Sequence, residues 1–411
     1  MTTNDHVQDD TLLITLTGHD RPGVTASLFD AISAFDGVVV LDIEQLVVRQ
    51  QLVLTVLLRL NGASSAVISN AIRHTAATLG MRLETELGAS DDDERRRNRV
   101  HITVLGAPLR PDAVAGLAAT IAAEGGNIDR IRRIASYPIT AIVLEGSGAH
   151  PAHLQAVLSA RAAELGVDVA VRRAGLDRRG QHLVVMDVDS TLINDEVIDV
   201  LAARAGAGDA VAQITARAMA GELDFEASLR ERVAALAGLD ESVIDAVREE
   251  ITLTPGARTL VRTLKRLGYV VALVSGGFVE VIEPLARELG VDHVRANRLE
   301  VRDGKLTGNV AGSVIDRRAK RAALEEFAAA HGLPLSRTIA IGDGANDQDM
   351  LAAAGLGVAF NAKPALQEVA DTSINVPYLD ALLFILGITR EEIEAADEDS
   401  GVSVRMPRVA H

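Results

Sequence analysis

From residue 182 to residue 376 the chain alternates two textures: short apolar runs (LVVMDV, YVVALVSGG, TIAIGDG, GLGVAF, TSINV) and, between them, longer stretches with helical apolar spacing. Strands separated by helical segments of this length need right-handed crossovers, which lay them parallel in one sheet covered by helices on both faces. The fold class is therefore α/β, with a doubly wound parallel sheet in this half. Between Asp195 and Thr254 the pattern is almost wholly helical, so a helical cap at about 195–254 leaves the sheet after its first strand.

The front half is built differently. From Thr11 an apolar run, a turn at Pro22-Gly23, a helix, two β-rich runs (38–48 and 51–60), a second helix and a short run from Met81 give the order βαββαβ. After the linker GASDDDERRRN the same order returns, from HITVLG to VDVAVRR. This is an internal repeat. Gly18 with Arg21-Pro22 in the first copy parallels Gly106 with Arg110-Pro111 in the second, with one residue inserted. Two copies are too few for a solenoid and read as two small α/β sandwich domains. The expected domains are 11–88, 99–173 and 181–390. The acidic tail EEIEAADEDS and the residues to His411 carry no packing signal, so the chain is expected to be mobile there.

Charge narrows the partners. With 57 Asp and Glu against 41 Lys and Arg, the formal net charge of -16 opposes a polyanion, and no nucleic-acid partner is expected. The basic runs Arg95 to Arg97 and Arg172 to Arg179 sit on expected linkers and read as solvated connectors. There is no cysteine, which excludes disulfides, thiolate metal sites and cysteine nucleophiles. The first ten residues lack an apolar signal core and no run reaches a membrane span, so the expected location is the cytoplasm, with no membrane partner.

The chemistry concentrates where apolar runs end. VVMDVDST places Asp187 and Asp189 at the tip of a strand, where ligands of open parallel sheets bind. Taken alone, such a turn equally serves only to cap the next helix. Two further strand ends favour chemistry: VALVSGG offers Ser275 with the backbone N–H groups of Gly276 and Gly277, and IAIGDGAND offers Asp343, Asn346 and Asp347. Lys320, on the helix DRRAKRAAL between them, can direct an ammonium to the same crevice.

Through DVDST, the Ser275 turn, Lys320 and GDGAND in that order, residues 181–380 resemble the haloacid dehalogenase superfamily. Many relatives carry an aromatic residue where this chain has Val188. The resemblance implies a phosphatase with Asp187 as nucleophile, forming a phospho-aspartyl intermediate, and Asp189 as general acid and base. A phosphoryl dianion repels a carboxylate unless a cation neutralises its oxygens, and Mg²⁺, a hard oxygen-seeking ion, suits that task. Its implied ligands are Asp187, Asp343 and the backbone carbonyl of Asp189, with Asp347 orienting them. Ser275, Gly276, Lys320 and Asn346 would hold phosphate oxygens or steady the carboxylates.

Substrate choice falls to the cap. A zwitterionic amino-acid head needs an anion for its ammonium and a bidentate cation for its carboxylate, which Glu196 and Arg232 supply, while Met219 and Phe225 close the pocket. Each is also an ordinary residue for a cap helix. Their spacing from the nucleophile resembles that of the phosphoserine phosphatases, which implies O-phosphoserine as substrate and L-serine as product. The paired βαββαβ modules resemble ACT domains, which implies a homodimer and feedback by serine near Gly18, Asp20, Gly106 and Asn127. Modules that serve dimerisation alone are the alternative there. For the whole chain, the alternatives are a phosphotransferase or mutase on the same scaffold and a non-catalytic amino-acid sensor.

Overall fold

The structure, a computed structural model, describes residues 11–88, 98–175, 180–219 and 222–402, with Met219 by its backbone only. Two compact units divide between Arg95 and Arg96. In the first, β1 (Thr11–His19), α1 (Val24–Ser33), β2 (Val39–Val48), β3 (Gln51–Arg59), α2 (Ser65–Thr78) and β4 (Arg82–Gly88) give an antiparallel sheet of order β2-β3-β1-β4. Alternate residues Leu12, Ile14 and Leu16 of β1 and Leu54, Val56 and Leu58 of β3 share one face, where Leu28 and Ile72 of the helices cover them. Edge strand β2 stays exposed along nearly its whole length, including Ile43, Leu46 and Val48.

The second unit begins with the other copy: β5 (Val100–Gly106), α3 (Pro111–Ala123), β6 (Asn127–Ala135), β7 (Thr140–Ser147), α4 (Pro151–Leu165) and β8 (Asp168–Arg173), in sheet order β6-β7-β5-β8. The Arg-Pro pairs of the two copies are not equivalent in space. Pro22 precedes its helix in a turn that ends on Gly23 in the left-handed region, whereas Pro111 is the first helical residue. The larger difference is burial. One face of this second sheet packs on α3 and α4, and the other, through Leu105, Ile134, Ala141, Val143 and Ala170, joins the core of the residues that follow.

Those residues form β9 (Leu183–Met186), the cap helices α5 (Val197–Arg204), α6 (Gly208–Met219), α7 (Phe225–Ala234) and α8 (Val243–Glu250), then α9 (Ala257–Arg266), β10 (Val270–Phe278), α10 (Val279–Leu289), β11 (His293–Arg302), β12 (Lys305–Ala311) and α11 (Arg317–Ala330). They continue with β13 (Thr338–Gly342), α12 (Gln348–Ala353), β14 (Leu356–Phe360), α13 (Pro364–Gln367), β15 (Thr372–Ile374), α14 (Ala381–Ile385) and α15 (Arg390–Asp399). The sheet order is β12-β11-β10-β9-β13-β14-β15, so β9 lies between β10 and β13, where the winding reverses. The doubly wound sheet is parallel except at one edge, where β12 runs antiparallel to β11. The two-residue turn Asp303-Gly304, both at positive φ, makes that hairpin, and Asp-Gly between β-rich runs is its sequence signal. No helix among the described residues is long and apolar enough to cross a membrane.

The acidic tail also departs from expectation. Thr389 and Glu392 form a reciprocal capping box that starts α15, Ile393 is buried, and the helix continues past residue 390 to Asp399. Asp397 accepts hydrogen bonds from Arg262 Nε (2.9 Å) and Nη2 (2.6 Å) and also pairs with Arg266. Residues 403–411 lie outside the described ones. Burial pushes the Asp397 carboxyl up, but the hydrogen bonds from the two arginines outweigh it and hold it below the usual carboxylate range. Its contribution is therefore full above the ordinary value near pH ~4 and is lost as pH falls through the lower folded value. Asp397→Ala should cost about 2 kcal/mol in urea unfolding at pH 7, less than a fully buried pair because both arginines are partly exposed. That difference from wild type should shrink in acid.

Candidate active site

The turn after β9 fixes the site. Asp187 N–H donates to the Ile341 carbonyl at 2.9 Å, continuing the sheet by one residue, and the chain then makes a single wide turn over Val188–Leu192 with Ser190 at φ 56°. This left-handed step lets the Ser190 hydroxyl donate to Glu196 Oε1 at 3.0 Å. Asp187 Oδ1 accepts from the Val188 N–H (2.7 Å) and pairs with Lys320 Nζ (2.8 Å). Its other oxygen has no protein partner among the described residues.

Lys320, on α11 behind the sheet edge, is wholly buried and also holds Asp347 Oδ1 at 2.7 Å. Burial would strip its proton, but the two carboxylates keep the ammonium charged. Asp347 Oδ2 in turn accepts from the Gly344 N–H at 3.1 Å, closing the turn that carries Asp343. Asp187, Asp343 and Asp347 each offer an oxygen within 4.8 Å of the others. When ionised, these three carry one negative charge each against one ammonium, which leaves two negative charges in excess. Burial and Asp347 push Asp187 well above the ordinary carboxylate range against the pull of Lys320, and the same causes raise Asp343 to about 6. A hard oxygen donor set with two charges in excess fits a divalent cation.

Asp189 stands apart from that cluster. Its Oδ1 accepts from the Val197 N–H and its Oδ2 from the Ser275 hydroxyl, each at 2.8 Å. Burial raises its pKa in spite of those bonds, which favours a protonated carboxyl able to donate. Ser275 is fully buried, and its hydroxyl also accepts from the Gly277 N–H at 2.7 Å. Here, then, the serine hydroxyl serves Asp189. A Cβ on Gly277 would lie 2.7 Å from Asp189 Oδ2, so only glycine allows this approach.

The cap closes over these groups. Asp187, Asp189, Gly277 and Asp343 line a cavity of about 530 Å³ together with Glu196, Asp199, Phe225 and Arg232 from the cap, Gly276, and Asn346. A Cβ on Gly276 would lie 3.0 Å from the Phe225 ring, which shows how closely the cap approaches the β10 turn. Burial and the Asp189 charge raise Glu196 to about 7 against the pull of Ser190. Arg232 donates only a long bond, from Nε to the Ser228 carbonyl at 3.4 Å, and no carboxylate pairs with it among the described residues. Burial lowers its pKa, with Asp199 and then Glu196 opposing. The Met219 side chain lies outside the described residues.

Sequence reasoning missed Asp199 and Asn297. Asn297 is buried, donates to the Gly276 carbonyl at 2.7 Å and accepts from the Ile315 N–H, pinning the phosphate-side turn from a strand that was itself unexpected. In the front modules Asp20 lines a cavity of about 330 Å³ with Arg21, Thr25 and Gln45. Gly18 lies under Met81 and Gly106 under Leu109, so packing already accounts for both glycines. Asn127 is exposed and bonds Asp129.

Residues 184–352 match the family of haloacid dehalogenase-like hydrolases, and residues 10–86 and 100–172 each match an ACT-domain family. The chain is 56% identical over 392 residues to the phosphoserine phosphatase of Streptomyces coelicolor, covering 94% of each chain. It is 52% identical over 398 residues to a phosphoserine phosphatase of Mycobacterium tuberculosis, covering 95% of this chain and 97% of the relative. Among solved structures, that of a probable phosphoserine phosphatase from Vibrio cholerae is similar with a TM-score of 0.58 at 34% identity, over 75% of this chain and 91% of the other.

A divalent cation that relieves the carboxylate repulsion must stabilise the folded chain in proportion to its binding. Adding Mg²⁺ should raise the thermal midpoint, and Asp343→Asn should remove most of that rise while leaving a folded protein by circular dichroism.

Proposed function

This chain belongs to the phosphoserine phosphatases, haloacid dehalogenase-like hydrolases that here follow two ACT domains, and we propose that it releases phosphate from O-phosphoserine through the carboxylate of Asp187. The observation that carries the residue roles is the divided environment of the two aspartates at the end of β9. Asp187 is oriented by its ion pair with Lys320, while Asp189 makes no ion pair with that ammonium among the described residues, accepts from the Val197 N–H and the Ser275 hydroxyl, and is biased by burial toward its protonated form.

Asp187 attacks phosphorus in line, the bond from phosphorus to the serine oxygen breaks, and Asp189 gives its proton to that departing oxygen. Water then attacks the phospho-aspartate, Asp189 takes back a proton, and the carboxylate of Asp187 is restored. The family uses a divalent metal, which we read as Mg²⁺ held by Asp187, Asp343 and the Asp189 carbonyl. When bound, it supplies positive charge to the phosphoryl oxygens. The Gly276 N–H and Asn346 at the cavity wall would assist there, while Lys320 and Ser275 hold Asp187 and Asp189 in place.

Arg232, half-buried and without a carboxylate partner among the described residues, would take the substrate carboxylate bidentately, with Glu196 for the ammonium and Phe225 excluding water. The free Arg232 guanidinium is the feature a plain phosphomonoesterase has no use for. A phosphotransferase or mutase remains the rival chemistry and would yield a new ester in place of free phosphate.

The homodimer is supported by β2, an exposed apolar strand at the edge of its sheet, the kind of edge that a second copy pairs with. L-Serine as feedback effector is supported by the cavity at Asp20, an anion suited to an ammonium. The cytoplasm is the compartment this reading assigns, since a charged phosphate ester does not cross a membrane unaided.

Phosphate release measured on a panel of small esters tests the assignment. Asp187→Asn should lose at least about a thousandfold in kcat on every ester, and Arg232→Ala should raise KM for phosphoserine at least about tenfold while leaving an aryl phosphate nearly unaffected. Ionised Glu196 is needed for the ammonium, so KM for phosphoserine should rise as pH falls below about 7, and Glu196→Gln should flatten that dependence. Inhibition by serine should weaken in Asp20→Ala with kcat unchanged.

A further inference from the structure

The cavity is lined by five carboxylates, Asp187, Asp189, Glu196, Asp199 and Asp343, and its lining holds two cations, Arg232 and Lys363. Lys320 lies behind, committed to Asp187 and Asp347. Arg232 comes from the cap and faces the amino-acid end, so on the side of the sheet Lys363 is the unassigned charge. It makes no hydrogen bond or ion pair among the described residues. Lys363 is exposed at the cavity wall and free to move toward a ligand there.

Its position is built. Lys363 follows the C-terminal end of β14, the strand beside β13, and caps the start of α13, which packs against the turn 345–347 that carries Asn346. A fourth strand end thus contributes to the crevice, on the phosphoryl side. The carbonyl of the preceding residue, Ala362, accepts from Gln367 Nε2 at 2.7 Å. The same nitrogen lies 2.9 Å from Asn375 Oδ1, and Asn375 donates its Nδ2 and its backbone N–H to the two oxygens of Asp168, at 2.7 and 2.8 Å. Asp168 opens β8 of the second ACT module and is buried. One run of hydrogen bonds therefore leads from that module to the residue before Lys363.

We propose that Lys363 is a substrate-positioning cation for the phosphoryl group and that the second ACT module sets its place through Asp168, Asn375 and Gln367. This rests on the cavity being the phosphatase site. A flexible ammonium at the cavity wall draws in the phosphate dianion without touching the nucleophile, so its removal acts on KM and not on kcat. Gln367 and Asp168 are positioning residues and act only through Lys363.

The test is steady-state kinetics on the full chain with Mg²⁺, using phosphoserine, an aryl phosphate and inorganic phosphate as product inhibitor. Lys363→Ala should raise both KM values and the phosphate inhibition constant by about tenfold each with kcat within about twofold, and Lys363→Arg should restore them. That pattern separates it from Arg232→Ala, which acts on phosphoserine alone. Gln367→Ala and Asp168→Ala should each raise the same constants, and neither should add anything in the Lys363→Ala background. Unchanged KM and phosphate inhibition in Lys363→Ala would overturn the role of the lysine, and additivity of Gln367→Ala with Lys363→Ala would overturn its positioning from the module. Should wild type hydrolyse the aryl phosphate but not phosphoserine, the substrate assignment fails, while the lysine is still decided by the aryl ester.

Discussion

One buried ammonium holds the site together. Lys320 has no contact with solvent and would be neutral in an apolar interior, yet Asp187 and Asp347 lie within 2.8 Å of it and keep it charged. The dependence runs both ways, because without that ammonium two buried carboxylates would face each other and a third, Asp343, uncompensated. Burying such a group is tolerable only where its charge is offset, and Lys320 offsets one of the three carboxylates that the ends of β9 and β13 bring together. The remaining two negative charges are the part of the design that awaits a divalent ion.

From this constraint the division of labour follows. Asp187 and Asp189 are two residues apart, but the turn between them sends one carboxylate to Lys320 and the other to Ser275 and the α5 N-terminus. In the mechanism we propose, the first is the nucleophile and the second carries the proton, so acid and nucleophile differ by environment and not by residue type. The cap adds selectivity at a distance from that chemistry. Arg232 gives up solvation without gaining a carboxylate partner among the described residues, with only the charges of Asp199 and Glu196 in its favour.

What was legible in the sequence shares a physical cause. DVDST, the Ser275 turn and GDGAND lie at the ends of apolar runs, so position along a strand already fixed where their side chains go. Asn297 and Asp199 were not legible, because each acts through a contact that only the tertiary fold creates. The tail was misjudged for another reason. Its acidic composition suggested solvent, while T-R-E-E, a capping box in plain view, announced α15, and the partners of Asp397 lie more than a hundred residues away. The Arg-Pro pairs show the opposite error: identical letters at similar offsets came to stand on different sides of a helix start.

The duplicated modules carry the final consequence. Both have one sheet face covered by their own helices, but in the second copy the other face carries Leu105, Ile134 and Val143 into the core of the catalytic half, so that module cannot move without disturbing it. In the first, β2 keeps Ile43, Leu46 and Val48 exposed. Equal folds have thus diverged in what they bury: the second copy is packed into the catalytic half and joined through Asp168 and Asn375 to the loop at Lys363, whereas the first keeps an apolar edge strand exposed. Among the described residues, only the second copy therefore has a hydrogen-bonded route toward the cavity wall, through Asp168, Asn375 and Gln367 to the Ala362 carbonyl.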